Sequence, residues 1–124
     1  MTRVGETAAS EELIIDPEPL LAGVLDDLTA GVDPEAIALE AHIAIADALC
    51  DAAERIAARE GVQTIALSGG VFMNRLILEE TQGHLEANGL RVLVPERVPL
   101  NDGGIAYGQA AIARAQYSDG LPSA

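Results

Sequence analysis

The sequence predicts an α/β fold in which a short, mostly parallel sheet is flanked by helices. Long segments repeat apolar residues at helical spacing, and two short apolar runs each lead into a glycine pair and another helix. This helix, strand, helix, strand order is typical of right-handed crossovers between parallel strands. Hydrophobic residues make up 49% of the 124 residues and aromatic residues only 2%, which predicts a folded chain with an aliphatic core.

The N-terminal part of the chain is predicted to hold a tail, a strand and a helix. Residues 1–12 show no periodicity and are expected to be a disordered tail, and the apolar run 13–15 predicts a brief strand. Asp16 and Pro17 have the residue types of a helix N-cap and a first helical residue. The leucine-rich helix that follows is expected to stop at Gly31.

The longest helix is predicted over residues 34–60, because Asp33 and Pro34 repeat the start signal and Gly61 provides a stop signal. Its apolar stripe is rich in alanine, which lets a neighbouring element approach closely, so we expect this helix at the centre of the core. The single Cys50 lies on the stripe and is interpreted as a small buried apolar residue rather than a nucleophile.

The rest of the chain is predicted to alternate strands and helices and to end in a frayed tail. In chain order these are a strand at 64–67, a helix at 74–88, a strand at 91–94, a helix at 102–116 and the tail at 117–124. At most three strands are few for a parallel sheet whose two faces must be covered. We therefore expect residues 13–116 to be part of a larger fold.

The charge of the chain excludes one class of partner. Seven arginines, no lysine and 20 acidic residues give a net charge of −13. Affinity for nucleic acid comes largely from basic residues that neutralise phosphates, so nucleic acid is excluded as a direct partner. No apolar run approaches the ~20 residues that span a bilayer, and the first residues lack the apolar core of a signal peptide. We expect a cytoplasmic protein that does not bind membranes.

A first glycine loop, Ser68-Gly69-Gly70, follows the strand at 64–67. Adjacent glycines let a backbone come close to a ligand, and phosphate binds well between a strand and a helix. The simpler interpretation is a tight turn. The loop matches neither the P-loop nor the dinucleotide-binding pattern, and nothing around Ser68 supports hydrolase chemistry.

A second glycine loop, Asn101-Asp102-Gly103-Gly104, precedes the last helix. Asp102 is either the helix N-cap or a metal ligand that neutralises nucleotide phosphates. Since both loops leave neighbouring parallel strands, we expect them at the same edge of the sheet. His42 and His84 share no metal-ligand spacing, and His42 on an apolar helix face is more often a packed core residue than a ligand.

Two segments of the chain resemble the HypF family, the carbamoyltransferases of [NiFe]-hydrogenase maturation. They are residues 67–75 (LSGGVFMNR) and 98–109 (VPLNDGGIAYGQ), and residues 26–49 are similar as well. The resemblance spans residues 13–116. It implies the last part of a kinase-like module that is shared with O-carbamoyltransferases and tRNA threonylcarbamoyladenosine enzymes, and a partial lobe of the actin, sugar kinase and Hsp70-like fold.

The resemblance also implies a reaction. In this family ATP and carbamoyl phosphate yield carbamoyl-adenylate, and the kinase-like module passes the carbamoyl group to the C-terminal cysteine thiol of HypE. This chain would be the C-terminal fragment of such an enzyme, inactive alone. Its partners would be the missing N-terminal lobe, the adenylate-forming domains and a HypE-type acceptor, and an exposed apolar face would invite self-association.

The residues that match the family's motifs receive implied roles. Asp102 is implied as a ligand of a divalent metal (Mg, Fe or Zn), His42 as a cleft-facing or core residue, and no residue as catalytic. Contacts with the nucleotide or carbamoyl-adenylate are implied for Ser68, Gly69, Gly70, Asn74, Gly103 and Gly104. The family's His-x-x-x-His metal motif does not occur here, and Ala41 precedes His42 where the family usually has an aromatic residue.

Two other functions remain open. The first is a non-catalytic interaction or scaffold module in which Asp102 is only a cap. The second is a nucleotide-binding kinase or ATPase of the same superfamily. The second glycine loop favours the carbamoyltransferase over the kinase, which would need a catalytic aspartate in its other lobe.

Overall fold

The structure, a computed structural model, describes residues 3–6 and 13–119 and confirms an α/β chain with short sheets and flanking helices. Two 3₁₀ turns, Gly70–Met73 and Asp102–Gly104, precede the last two helices. In chain order the strands and helices are β1 (Arg3–Glu6), β2 (Leu13–Asp16), α1 (Glu18–Ala30), α2 (Pro34–Glu60), β3 (Thr64–Ala66), α3 (Arg75–Ala87), β4 (Arg91–Leu93) and α4 (Ile105–Asp119).

The strand β1 corrects the expectation of a disordered tail for residues 3–6. It pairs antiparallel with β2, with Val4 opposite Ile15. Residues 1–2 and 7–12 of the predicted tail lie outside the described residues. Within the part that the structure describes, the strands form two separate two-stranded sheets, β1–β2 antiparallel and β3–β4 parallel.

The start of α1 differs by one residue from the prediction. The N-cap is Pro17 and the helix begins at Glu18, whereas we predicted Asp16 as the cap and Pro17 as the first helical residue. The Asp16 carboxylate nevertheless accepts a hydrogen bond of 2.9 Å from the Glu18 N–H, so it still satisfies one N–H group of the first turn. The helix ends at Gly31, as predicted.

The long helix α2 has the predicted bounds and occupies the centre of the described chain. Asp33 caps its N-terminus by accepting a hydrogen bond from the Glu35 N–H, and Gly61 ends it in the left-handed conformation. Its residues Ile37 and Ala44 face α1, whereas Cys50 belongs to the core that it shares with α3. The spacing of these residues places α1 and α3 on opposite sides of α2.

The core lies between α2, α3 and the parallel pair β3–β4, in which Ile65 stands opposite Val92. Cys50 is fully buried, as predicted, and its Sγ donates to the carbonyl oxygen of Thr81 at 3.6 Å. Burial raises the pKa of the Cys50 thiol to about 11, and Glu54 adds to the shift. The buried residues of this cluster are Cys50, Leu67, Phe72, Ile77 and Leu85.

The last helix, α4, contrasts with this core. It continues to Asp119, beyond the predicted end at residue 116, and residues 120–124 of the predicted frayed tail lie outside the described residues. Residues 105–117 are exposed except for the half-buried Gly108. No helix in the described part of the chain has the length and apolar character needed to cross a bilayer.

Candidate functional site

The two glycine loops lie side by side, as predicted. They follow the parallel strands β3 and β4, so they leave the same edge of the sheet. The N–H group of Gly69 in the first loop donates a hydrogen bond of 2.8 Å to the carbonyl oxygen of Leu100, the residue just before the second loop. This bond joins the two loops into one site.

The first glycine loop is anchored to the core. Gly69 has a φ of +108°, a conformation that side-chain-bearing residues rarely adopt, so the turn requires a glycine. Its carbonyl oxygen accepts a hydrogen bond of 3.2 Å from the N–H of Phe72, whose side chain is buried in the core. The backbone of this loop is therefore fixed by residues of the chain itself.

Gly70 differs from Gly69, because nothing inside the chain requires a glycine there. Its φ lies outside the left-handed region, and a Cβ atom built on it would meet no atom within 4 Å. The neighbouring Ser68 is exposed. The backbone at Gly70 is thus open to close approach by a group from outside the described chain.

Asn74 has a structural role that limits what it can offer a ligand. Its side-chain oxygen caps α3 by accepting hydrogen bonds from the N–H groups of Leu76 and Ile77, at 3.1 and 3.3 Å. The side-chain NH₂ group has no hydrogen-bond partner among residues 3–6 and 13–119. Only this amide group can bind a ligand without loss of the cap, and its contact with the nucleotide stays a prediction.

In the second glycine loop, the interpretation of Asp102 as the helix N-cap is wrong. The cap is Asn101, whose side-chain oxygen accepts a hydrogen bond of 3.0 Å from the Gly103 N–H, so Asp102 is not the N-cap. The sequence could not separate the two because either residue type is a good cap. The exposed Asp102 carboxylate has no hydrogen bond or ion pair within the described part of the chain. It is free to bind a group from outside.

The glycines of the second loop are needed for packing. A Cβ atom on Gly104 would lie 2.6 Å from the carbonyl oxygen of Pro99, which is closer than Cβ atoms come to other atoms. On Gly103 it would lie 3.1 Å from the side-chain oxygen of Asn101. Pro99 and Leu100 therefore shape both loops through their carbonyl groups. Sequence reasoning missed this role because backbone carbonyl contacts leave no residue signature.

His42 is half-buried and lies at the same end of the molecule as the glycine loops. The helices α2 and α3 run parallel, and the contact between Cys50 and Thr81 aligns them. His42 precedes that contact by eight residues of α2, about 12 Å, and Arg75, the first residue of α3 after the first glycine loop, precedes it by six residues, about 9 Å at 1.5 Å per residue. The Nδ1 atom of His42 lies 2.6 Å from the carbonyl oxygen of Ala38, so a proton on Nδ1 forms a hydrogen bond within the helix.

Two other polar side chains near the helix ends already have partners. Arg75, at the start of α3, donates to the carboxylate of Glu79 at 2.7 Å, and this hydrogen bond raises the pKa of the Arg75 guanidinium. Its charge is therefore directed along α3 rather than across the first loop. His84 lies near the other end of α3, where its Nε2 is 3.2 Å from the carboxylate of Glu54. The structure does not bring the two histidines together.

The described residues fit a metal ion only in part. Asp102 offers one carboxylate, a ligand type that divalent cations such as Mg²⁺ prefer. Across 3–6 and 13–119, no group of three or more His, Cys, Asp or Glu side chains is placed to hold a metal ion. An ion at Asp102 would need further ligands from outside these residues.

Two short parallel strands, two joined glycine loops at the strands' carboxyl ends and flanking helices define a half-lobe of an α/β fold. Residues 2–109 match the protein family described as "Carbamoyltransferase, Kae1-like Domain, second subdomain". Together with the relatives below, this match shows that the chain belongs to the HypF carbamoyltransferase family.

Two curated relatives and two solved structures show how much of the family this chain covers. A carbamoyltransferase HypF homolog of Cupriavidus necator is 36% identical over 121 residues, which are 95% of this chain and 30% of the relative. A probable carbamoyltransferase HypF of Methanocaldococcus jannaschii is 35% identical over 96 residues, 77% of this chain and 12% of the relative. The chain thus spans less than a third of either relative.

The solved structures are crystal structures of HypF proteins. Full-length HypF in a phosphate- and nucleotide-bound form superimposes with a TM-score of 0.84 at 32% identity, over 91% of this chain and 15% of that one. The HypF of T. kodakarensis gives a TM-score of 0.73 at 36% identity, over 89% and 14%. These matches confirm the predicted fold class.

Proposed function

We propose that this chain supplies one half of a carbamoyl-transfer site in which the two glycine loops bind the phosphate-bearing part of carbamoyl-adenylate. The observation that carries the proposal is the hydrogen bond between Gly69 and Leu100, because it holds both loops at one edge of the sheet. The other half of the site would come from residues outside this chain, in the same polypeptide or in a separate one.

The first loop is suited to a phosphate. Gly70 has neither a conformational nor a packing reason to be glycine, but a missing side chain there lets phosphate oxygens reach the backbone N–H groups. Ser68, exposed beside it, adds a hydroxyl donor. A solved HypF structure described as phosphate- and nucleotide-bound has the same fold over 91% of this chain, which supports a nucleotide ligand.

The second loop is suited to a cation that accompanies the phosphate. A chain with a net charge of −13 repels phosphate, and an unpaired Asp102 near that ligand increases the repulsion. A divalent cation, when bound, neutralises both the carboxylate and the phosphate and stabilises the charge on the departing group. Asp102 would supply one ligand, and Gly103 and Gly104 would keep the loop backbone close to the nucleotide.

The reaction we propose for the complete enzyme is the transfer of a carbamoyl group to a thiol. The sulfur of the C-terminal cysteine of a HypE-type acceptor attacks the carbamoyl carbon, and the thiol proton leaves to a base. The bond between that carbon and the adenylate phosphate oxygen breaks, and AMP leaves. ATP is consumed in forming the adenylate, and the glycine loops of this chain hold the leaving phosphate rather than react themselves.

A reconstituted transfer assay tests the proposal. The chain is combined with the complementary part of a HypF relative, and carbamoylation of a HypE-type acceptor is measured in the presence of ATP, carbamoyl phosphate and Mg²⁺. We expect Asp102→Asn to lower the rate at least 100-fold without changing thermal stability. Glu96→Gln, at another exposed carboxylate, is the matched control and should retain activity.

The same assay separates the competing functions. Unchanged transfer in Asp102→Asn would contradict the cation-binding role. ATP hydrolysis that does not depend on carbamoyl phosphate or the acceptor would favour a nucleotide-binding ATPase. Acceptor binding by a wild-type mixture that neither transfers carbamoyl nor binds ATP would favour a scaffold module.

A further inference from the structure

The side of α2 that packs on the core continues into a histidine at the end of the molecule where the glycine loops lie. Ile45, Leu49 and Ala53 pack against the buried cluster. They follow His42 by three, seven and eleven residues, a spacing that places all four side chains on one face of the helix. His42 therefore extends the core-facing side of α2 by one turn beyond Ile45.

This extension brings His42 beside the glycine loops. Leu100, whose carbonyl oxygen accepts the hydrogen bond from Gly69, packs against the same buried cluster as Ile45. His42 lies about 4.5 Å further along α2 than Ile45, toward the helix N-terminus. It is half-buried and belongs to neither loop. A group at this position can reach the carbamoyl end of a ligand whose phosphate lies on the loops.

The hydrogen bonding of His42 leaves one ring nitrogen available. Its Nδ1 lies 2.6 Å from the carbonyl oxygen of Ala38, and because a carbonyl oxygen only accepts, the proton of this hydrogen bond is on Nδ1. In a neutral imidazole the other nitrogen then carries a lone pair. The Nε2 atom has no hydrogen-bond partner among residues 3–6 and 13–119. His42 thus presents a proton acceptor.

No charged partner holds the His42 imidazole in its protonated form. The residues one turn away on the same helix carry no charge. The charged residues at this end of the molecule are Glu35 and Glu40 of α2, Asp27 of α1, Arg75 and Glu79 of α3, and Glu96, Arg97 and Asp102 of the segment after β4. Arg75 and Glu79 are paired with each other, and no ion pair in the described part of the chain includes His42.

The second histidine is placed differently. His84 lies near the far end of α3, and its Nε2 is 3.2 Å from the carboxylate of Glu54. Of the two histidines, only His42 combines a free ring nitrogen with a position beside the glycine loops.

We propose that His42 is a catalytic residue of the transfer, the base that takes the proton from the acceptor thiol. This inference rests on the proposed function and assigns the base that the reaction requires. As the sulfur attacks the carbamoyl carbon, the S–H bond breaks and its proton passes to Nε2. The S–C bond forms, and the bond from that carbon to the phosphate oxygen breaks as AMP leaves. The Nδ1–H group keeps its hydrogen bond to Ala38, which stabilises the imidazolium until the proton passes to water.

The reconstituted transfer assay tests this role when it is run as a function of pH. In His42→Asn the side-chain amide still offers an N–H group to Ala38 but cannot take up a proton. We expect the variant to lower the transfer rate about 100-fold near pH 7, the size of effect typical of a general base. The loss should shrink to less than about threefold near pH 9.5, because an acceptor thiol with a pKa of about 8.5 is then ionised without a base.

Further variants separate the loss of a base from other effects. Added imidazole should restore transfer in His42→Ala, where a small base fills the vacated space, but not in Asp102→Asn. His84→Asn, at the other histidine, is the matched control and should keep the wild-type rate at both pH values. ATP binding, measured by calorimetry, should be unchanged in His42→Asn, because the loops still hold the phosphate. Melting temperatures show that each variant is folded.

The possible failures are distinguishable. If the wild-type mixture transfers no carbamoyl group, the proposed function fails and this inference fails with it. If the wild type transfers and His42→Asn matches it near pH 7, only the assignment of the base is wrong. An equal loss near pH 7 and pH 9.5 would make His42 a structural residue. A higher Mg²⁺ requirement at every pH would assign it to the cation instead of the thiol.

Discussion

The two glycine loops are joined to each other, yet the chain supports them very differently. The first lies on the core, because Gly69 hydrogen-bonds to the backbone of the buried Phe72, and Asn74 caps α3. The second leads into α4, where residues 105–117 are exposed except Gly108. One side of the site therefore rests on the buried core, whereas the other meets the core through Leu100 and continues into an exposed helix.

Under the proposed function, this difference indicates that the complementary half of the site covers α4. The exposed apolar side chains of α4 include Ile105, Tyr107 and Ile112, and an isolated helix of this length gains little stability without packing. If the proposed half-site is correct, the surface that completes it covers α4. The following predictions test this division, from the largest expected effect to the smallest.

The largest difference is expected between core and α4 truncations. Phe72→Ala should lower the free energy of unfolding by about 3–5 kcal/mol, because it leaves a cavity beneath the first loop. Ile112→Ala should change it by less than about 0.5 kcal/mol, because the side chain is exposed. Urea unfolding followed by circular dichroism measures both, and equal effects would show that α4 is packed after all.

A smaller difference is expected between two glycines of the site. Gly104→Ala should destabilise the second loop by about 1–3 kcal/mol, because its Cβ atom would lie 2.6 Å from the Pro99 carbonyl oxygen. Gly70→Ala, which meets open space, should change stability by less than about 0.5 kcal/mol. Hydrogen exchange of the Gly69 amide, bonded to Leu100, reports the loop contact. Faster exchange in Gly70→Ala than in Gly104→Ala would show that the loop contact requires a glycine at residue 70 rather than at residue 104.

The stability of the core beneath the first loop should also depend on alkaline pH. Burial raises the pKa of Cys50 to about 11 from its ordinary 9.0, so the unfolded chain loses this proton at lower pH than the folded one. The thiol's contribution to the free energy of unfolding is complete below pH 9 and is lost as the pH rises toward 11, with an expected decrease of about 2–3 kcal/mol. The decrease of the unfolding free energy above pH 9 should disappear in Cys50→Ala. If Cys50→Ala kept the wild-type pH dependence, that dependence would come from groups other than Cys50.

Local signals made most of the fold predictable. Asp33, Pro34 and Gly61 set the bounds of α2 through capping, and Gly31 ends α1 in the same way. These signals act within a few residues, so a sequence pattern is enough to find them. The strand β1 was missed because Val4 is its only strongly apolar residue and its partner lies about ten residues away. A strand that pairs with a partner several residues away along the chain leaves little signal in its own sequence.

The candidate site was only partly predictable for a similar reason. Parallel strand order was enough to place both glycine loops at one edge. The choice of Asn101 over Asp102 as the cap depends on backbone geometry that two neighbouring Asx residues do not reveal. The requirement for glycine at residue 104 arises from the carbonyl group of Pro99, and the freedom at residue 70 from open space. Neither can be recognised from residue types.

The central claim is that the two glycine loops together bind one phosphate-bearing nucleotide, and an NMR titration of the chain with ATP and Mg²⁺ tests it most directly. We predict that the amides of Gly70 and Gly103 shift together with a single dissociation constant. Gly70→Val should weaken binding at least tenfold at both amides, whereas Gly83→Val, at an equally open glycine on α3, should not. No shift at either loop, a shift at one loop alone, or wild-type affinity in Gly70→Val would contradict the claim.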